Sequence, residues 1–129
     1  MPTDIRIYRA NTYDADKWYR KLSADGQART NAVLDALELQ EPQAWARPRV
    51  DSLAGPCKGL KEIRLKIGKT QCRLIGFLGP GAKQFTVLMI SKEKGGKFDP
   101  AKTCEIGQDR KTKSIENTRF SQKWVRHEH

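Results

Sequence analysis

The chain has 129 residues, 37% of them hydrophobic and 31% charged, and a formal net charge of +10. That length suits one domain, with a core large enough to need no metal or disulfide staple. No run of about 18 apolar residues offers a membrane span.

Three widely spaced cysteines, Cys57, Cys72 and Cys104, form no CxxC pair, and the only histidines are His127 and His129. Neither a zinc site nor a disulfide scaffold is expected, and no cofactor. Met1–Arg6 lacks a signal-peptide apolar region, so the cytoplasm is the expected compartment. The charge is uneven: residues 1–50 carry about +1 and residues 51–129 about +9. Such asymmetry favours a polyanionic partner, either nucleic acid or an acidic protein.

In chain order, Ile5, Ile7 and Tyr8 predict a strand over 4–10, broken by Asn11-Thr12. Tyr13, Trp18, Tyr19 and Leu22 recur at helical spacing, with Lys17, Arg20 and Lys21 between them. Ser23-Ala24-Asp25-Gly26 is turn and cap chemistry. A second helix with a broad apolar face spans 27–40 and stops at Glu41-Pro42. The two helices form a hairpin, and a long Pro/Gly-bearing connection over 42–58 follows.

Three strands come next, over 60–67, 71–78 and 84–91, with turns at Gly68-Lys69 and Gly79-Pro80-Gly81. Strand alternation puts Glu62, Arg64 and Lys66 on one face and Ile63, Leu65 and Ile67 on the other. The apolar middle strands are expected to lie beneath the helices. The paired glycines in Ser91–Pro100 predict a loop or bulge rather than a continued strand. Asp99 is a candidate cap, with Pro100 at the first position of a helix over 100–110. From Lys111 onward no period is visible, and a weakly ordered basic tail is expected. The predicted class is α+β: an N-terminal strand, a helical hairpin, a three- to four-stranded mostly antiparallel sheet and a short C-terminal helix. Residues 1–110 would form the domain and 111–129 the tail.

Four segments in order carry a resemblance. Val50-Asp51-Ser52-Leu53-Ala54-Gly55 is followed by Gly59-Leu60-Lys61-Glu62-Ile63-Arg64, then Cys72-Arg73-Leu74-Ile75-Gly76-Phe77, then Val87-Leu88-Met89-Ile90-Ser91-Lys92-Glu93-Lys94. Together they resemble the RelE/ParE toxin superfamily, closest to its phage-derived HigB-like branch, over residues 4–110. The resemblance implies a toxin of a type II toxin–antitoxin pair. RelE and HigB members cleave mRNA in the ribosomal A site, and ParE members poison DNA gyrase. Both are neutralised by a small acidic antitoxin, so the implied partners are that antitoxin, the ribosome and mRNA.

Metal-independent RNA cleavage uses the 2′-hydroxyl as nucleophile. It needs a base, cations for the phosphorane and an acid for the leaving oxygen. The resemblance assigns Arg73 a catalytic role as phosphate and transition-state stabiliser, because a guanidinium clamps two phosphate oxygens. It assigns Arg64 to phosphate binding, with Lys66 beside it. In the lysine-rich loop, Lys94 is a candidate catalytic residue, and Lys92 and Lys97 are candidate phosphate ligands. A lysine in a cationic cluster can have a lowered pKa. The structural alternative for both arginines is an ion pair with Glu62 or Glu93.

The chain departs from the nuclease pattern in having Phe98 near the expected site and no tyrosine after Tyr19. Glu62 stands where some family nucleases carry a basic residue. Trp18, Tyr13 and Tyr19 could stack on bases, or could belong to the core or an antitoxin interface. Cys72 reads as a small buried hydrophobe. Cys57 and Cys104 have no histidine to activate them as nucleophiles.

Overall fold

A computed structural model describes residues 6–10 and 14–126. Strand β1 (Arg6–Ala10) leads to helices α1 (Asp14–Lys21) and α2 (Ala24–Glu38). Ser23 Oγ accepts a hydrogen bond from the Gly26 amide at 3.1 Å, so α2 starts three residues before the expected Gln27. A short strand β2 (Val50–Ser52) follows, then the long meander β3 (Lys61–Ile67), β4 (Thr70–Leu78) and β5 (Gln84–Lys94). Strand β6 (Lys97–Asp99), helix α3 (Thr103–Glu116) and strand β7 (Ser121–Lys123) complete the chain.

The sheet has seven strands in the order β2-β3-β4-β5-β1-β7, with β6 paired to β5. Strand β1 runs parallel to β5, and the other pairings are antiparallel. This is the expected α+β layout, extended by three short strands that carry too few residues to show a period.

Both faces of the sheet are covered. On one, Tyr19, Leu34, Leu37 and Trp45 pack on Ile63, Leu65, Leu74, Phe85 and Val87. On the other, Cys57, Leu60, Ile75, Phe77, Leu88 and Met89 form a second cluster, joined by Cys104 and Ile106 of α3. Each fully buried aliphatic or aromatic side chain contributes roughly 1.5–3 kcal/mol. At the β4–β5 pairing the register shifts between Ile75 and Gly76. A Cβ at Gly76 would lie 2.3 Å from the Thr86 carbonyl oxygen, so only glycine fits this bulge.

Four expectations are corrected. First, Ser91–Lys97 is not a loop. Strand β5 continues to Lys94, and Gly95 (φ 57) and Gly96 (φ 78) form the two-residue turn into β6. Both turn positions require positive φ, which explains the glycine pair.

Second, Asp99 does not cap a helix. It pairs opposite Lys92 in β6, and α3 begins at Thr103. That helix runs to Glu116, past the expected end at 110. Its buried residues are Thr103, Gly107 and Ser114, which are too small and polar to register as an apolar stripe.

Third, the segment after 110 is not weakly ordered as far as Arg126. Strand β7 pairs with β1, and Trp124 is 3% exposed with its ring edge-on to Tyr19 at 6.0 Å. Arg126 lies between Asp35 (3.3 Å) and Glu38 (3.6 Å) of α2, and the Tyr19 hydroxyl donates to its carbonyl. The expected boundary after residue 110 falls inside α3.

Fourth, Cys57 and Cys104 form a disulfide, with Cα atoms 4.7 Å apart and a sequence separation of 47. It ties the turn Gly55–Cys57 to the first turn of α3. No local spacing motif announces a bond made by tertiary packing. Ile5, Tyr13, His127 and His129 lie outside the described residues. Among those residues no helix is long and apolar enough to cross a membrane.

Candidate functional site

Strand register builds the site on the α3 side of the sheet. Arg64 of β3 stands directly opposite Arg73 of β4, which stands opposite Ser91 of β5. Two like charges facing each other across a ladder are unfavourable unless countered. Glu62, two residues before Arg64 on the same strand face, and Glu93, two beyond Ser91, supply the counter-charges.

Glu62 lies 3.1 Å from Arg64 Nε and 3.8 Å from Arg73 Nε. Glu93 lies 3.2 Å from Arg73 Nη2 and 3.9 Å from Arg64 Nη2. The alternative of ion pairing is therefore met for both arginines. The Arg73 and Glu62 side chains are 5% and 6% exposed, whereas those of Arg64 and Glu93 are 34% and 30% exposed. The quartet is neutral overall, with an inner buried pair and an outer half-exposed pair.

The inner pair is tightly placed but not fully satisfied. Arg73 Nη1 donates to the Cys72 carbonyl at 2.9 Å, yet its Nε and that of Arg64 are buried without a hydrogen bond. Burial pushes the Glu62 carboxyl above its usual range, outweighing the opposite pull of Arg64 and Arg73. Beside it, Asp51 of β2 is held below the usual carboxylate range by its hydrogen bond to Arg47, at 2.7 Å.

The outer pair opens into a groove of about 410 Å³ lined by Arg49, Arg64, Lys66, Gln71, Arg73 and Glu93, with Pro48 and Leu65 at its edge. Arg49 is fixed to β3 by two bonds: its carbonyl accepts from the Arg64 amide at 2.7 Å, and its guanidinium donates to the Arg64 carbonyl. Arg49 and Lys66 are exposed. Two cations with no ion-pair partner among the described residues thus rim a charge-balanced floor. Such an arrangement can hold a phosphate at the rim and present carboxylate and guanidinium together beneath it.

Of the residues singled out from sequence, Arg64, Lys66 and Arg73 come together in this groove. Lys92 does not. It pairs opposite Cys72 and lines cavities with Trp18, on the hairpin face of the sheet. Lys94 and Lys97 pair with each other across the β5–β6 hairpin and share the face of Lys92 by alternation. Lys94 Nζ lies 3.7 Å from Asp99. Phe98, opposite Glu93, packs into the α3-side core.

Arg49 is the groove residue that sequence reasoning missed. Its only signal was a basic residue after Pro48 in an irregular connection. Cys72 is buried and free, and burial pushes its thiol up, away from the reactive thiolate. Among the described residues no group of three His, Cys, Asp or Glu side chains could hold a metal ion.

The family model described as phage derived protein Gp49-like (DUF891) matches residues 17–112, from the middle of α1 to α3. The match therefore takes in every strand that carries the groove. No curated protein and no solved structure matches the chain significantly. With about three quarters of its length accounted for by that model, the chain belongs to the Gp49-like family of phage-derived proteins, a family associated with toxin-like proteins.

Proposed function

We propose that this protein is the toxin of a type II toxin–antitoxin pair and acts as a metal-independent RNA endonuclease, with ribosome-bound mRNA as its substrate and an acidic antitoxin as its inhibitor. The observation that carries this reading is the Glu62–Arg64–Arg73–Glu93 quartet beneath a groove rimmed by Arg49 and Lys66. Transesterification needs a base and a cation within reach of one phosphate, and the carboxylate and guanidinium of the outer pair supply both.

In this mechanism the scissile phosphate enters at Arg49 and Lys66 and competes with Glu93 for Arg73 and Arg64. Glu93, released from its cations, takes the proton of the 2′-hydroxyl. The 2′-oxygen attacks phosphorus, and Arg73 and Arg64 stabilise the added negative charge. The bond from phosphorus to the 5′-oxygen breaks, and Lys66 gives that oxygen a proton. The products are a 2′,3′-cyclic phosphate and a 5′-hydroxyl. Glu62 holds Arg73 in place from below. Lys94, on the other face, takes no part in this scheme.

Induction of wild-type protein should arrest growth and stop translation first. Arg73→Ala, kept folded by circular dichroism, should abolish both effects. Persistent arrest in that variant would remove Arg73 from the chemistry.

One observation favours a second reading, in which the fold binds without cutting or poisons gyrase. Arg73 is 5% exposed and already paired, and among the described residues no tyrosine or histidine lines the groove. Loss of DNA supercoiling before loss of translation would select gyrase. RNA binding with no cleavage and no arrest would select the inactive form.

A further inference from the structure

The face opposite the quartet carries a second cationic cluster with a different character. Lys17, Trp18 and Lys21 lie on α1, which packs on β5, and Lys92 projects from β5 toward them. Two adjoining cavities of about 350 and 240 Å³ share Trp18, Lys21 and Lys92 in their walls. Lys17, Lys21 and Lys92 are exposed, and none makes an ion pair with another described residue. The two acids that line the larger cavity are engaged elsewhere: Asp14 with Arg110 at 2.6 Å and Asp99 with Lys94 at 3.7 Å. Trp18 is half-buried, packed on the core while also lining both cavities.

We propose that Trp18, Lys17, Lys21 and Lys92 form a binding site for single-stranded RNA, separate from the candidate cleavage groove. One base stacks against the Trp18 indole, and flanking phosphates sit at the three lysines. An indole among lysines, two on α1 and one on β5 across a shallow cavity, matches the combination by which single strands are held without sequence readout. The proposal extends the RNA reading of the previous section but does not need the quartet to be catalytic. An RNA strand held here would anchor the protein to its target while the opposite face acts.

The test uses a short oligouridylate of about eight nucleotides with 2′-O-methyl sugars, which has no hydroxyl for self-attack. Trp45 and Trp124 are 7% and 3% exposed, so quenching of indole fluorescence reports Trp18. Wild-type protein should be quenched on titration. The double variant Lys21→Gln/Lys92→Gln should bind about tenfold more weakly, with a slope of log affinity against log salt shallower by about 1.4. Trp18→Leu should lose about tenfold, and Trp18→Phe should recover most of it because a ring face is restored. Should Trp18→Leu fail to fold, the lysine pair and Trp18→Phe still decide.

Unchanged affinity and slope in the lysine variant would overturn the proposal. So would quenching by oligoglutamate but not by the oligouridylate, which would assign the cavities to an acidic protein. Arg73→Ala separates this site from the proposed chemistry. It should keep the quench while losing cleavage of unmodified RNA. Retained cleavage would count against the cleavage mechanism alone.

Discussion

On the α3 face of the sheet, Arg73 lies between Glu62 and Glu93 with 5% of its side chain exposed; on the hairpin face, Lys17, Lys21 and Lys92 stand in solvent with no carboxylate partner among the described residues. The difference follows from solvation. A guanidinium inside a sheet must be paired, because moving it out of water costs several kcal/mol. A surface lysine has no such cost and can keep its charge for a ligand. One face therefore couples its cations to the stability of the fold, and the other leaves them free. Substitutions on the first face should disturb folding and those on the second should disturb binding.

The largest expected effect is on the quartet. Arg73→Ala leaves Glu62 buried beside a single half-exposed cation, and should cost about 3–5 kcal/mol in urea denaturation. Replacing both inner partners, as Arg73→Met with Glu62→Gln, should cost distinctly less, since no charge is stranded. Equal losses in the two variants would mean that packing, not charge, holds the site.

Next comes the disulfide on the same face. Cys57→Ser with Cys104→Ser should lower stability by about 2–4 kcal/mol, because the bond closes a 47-residue separation. Reductant should lower the melting temperature of the wild type and leave that of the double variant unchanged.

A smaller, pH-dependent effect is expected at Glu62. Its carboxyl binds a proton more tightly folded than unfolded, since burial raises its pKa above 4.5. Its contribution to stability is thus present below about 4.5 and declines as pH rises through the raised value. Relative to Glu62→Gln, wild type should lose stability across that window. A stability difference that does not vary with pH would remove the burial argument.

The smallest effect on stability belongs to the hairpin face. Lys21→Gln with Lys92→Gln should stay within about 0.5 kcal/mol of wild type by thermal denaturation. A loss comparable to that of Arg73→Ala would break the contrast between the faces.

The strand pair 60–67 and 71–78 was legible in the sequence because its cause is local. Alternation of Ile63, Leu65 and Ile67 with Glu62, Arg64 and Lys66 sets the faces, and glycine-bearing turns set the ends. Those same rules put Arg64 and Arg73 on one surface with acids within reach. Helix α3 was shortened in the reading because Thr103, Gly107 and Ser114 fill a tight contact with small side chains; a Cβ at Gly107 would lie 2.9 Å from Leu60 Cδ1. Local hydrophobicity does not record such a fit.

What the sequence by itself determined is the set of elements and the polarity of the central strands, because spacing of two or about 3.6 residues is written residue by residue. Tertiary structure decided which of the remaining cations join the surface of Arg64 and Arg73. Extending β5 by three residues carried Lys92 to the hairpin face and left Glu93 with the arginines. It also brought Arg49 to β3, Cys104 to Cys57 and Arg126 to α2. Each of these pairings joins distant segments, and their proximity is fixed only when both cores close around the sheet.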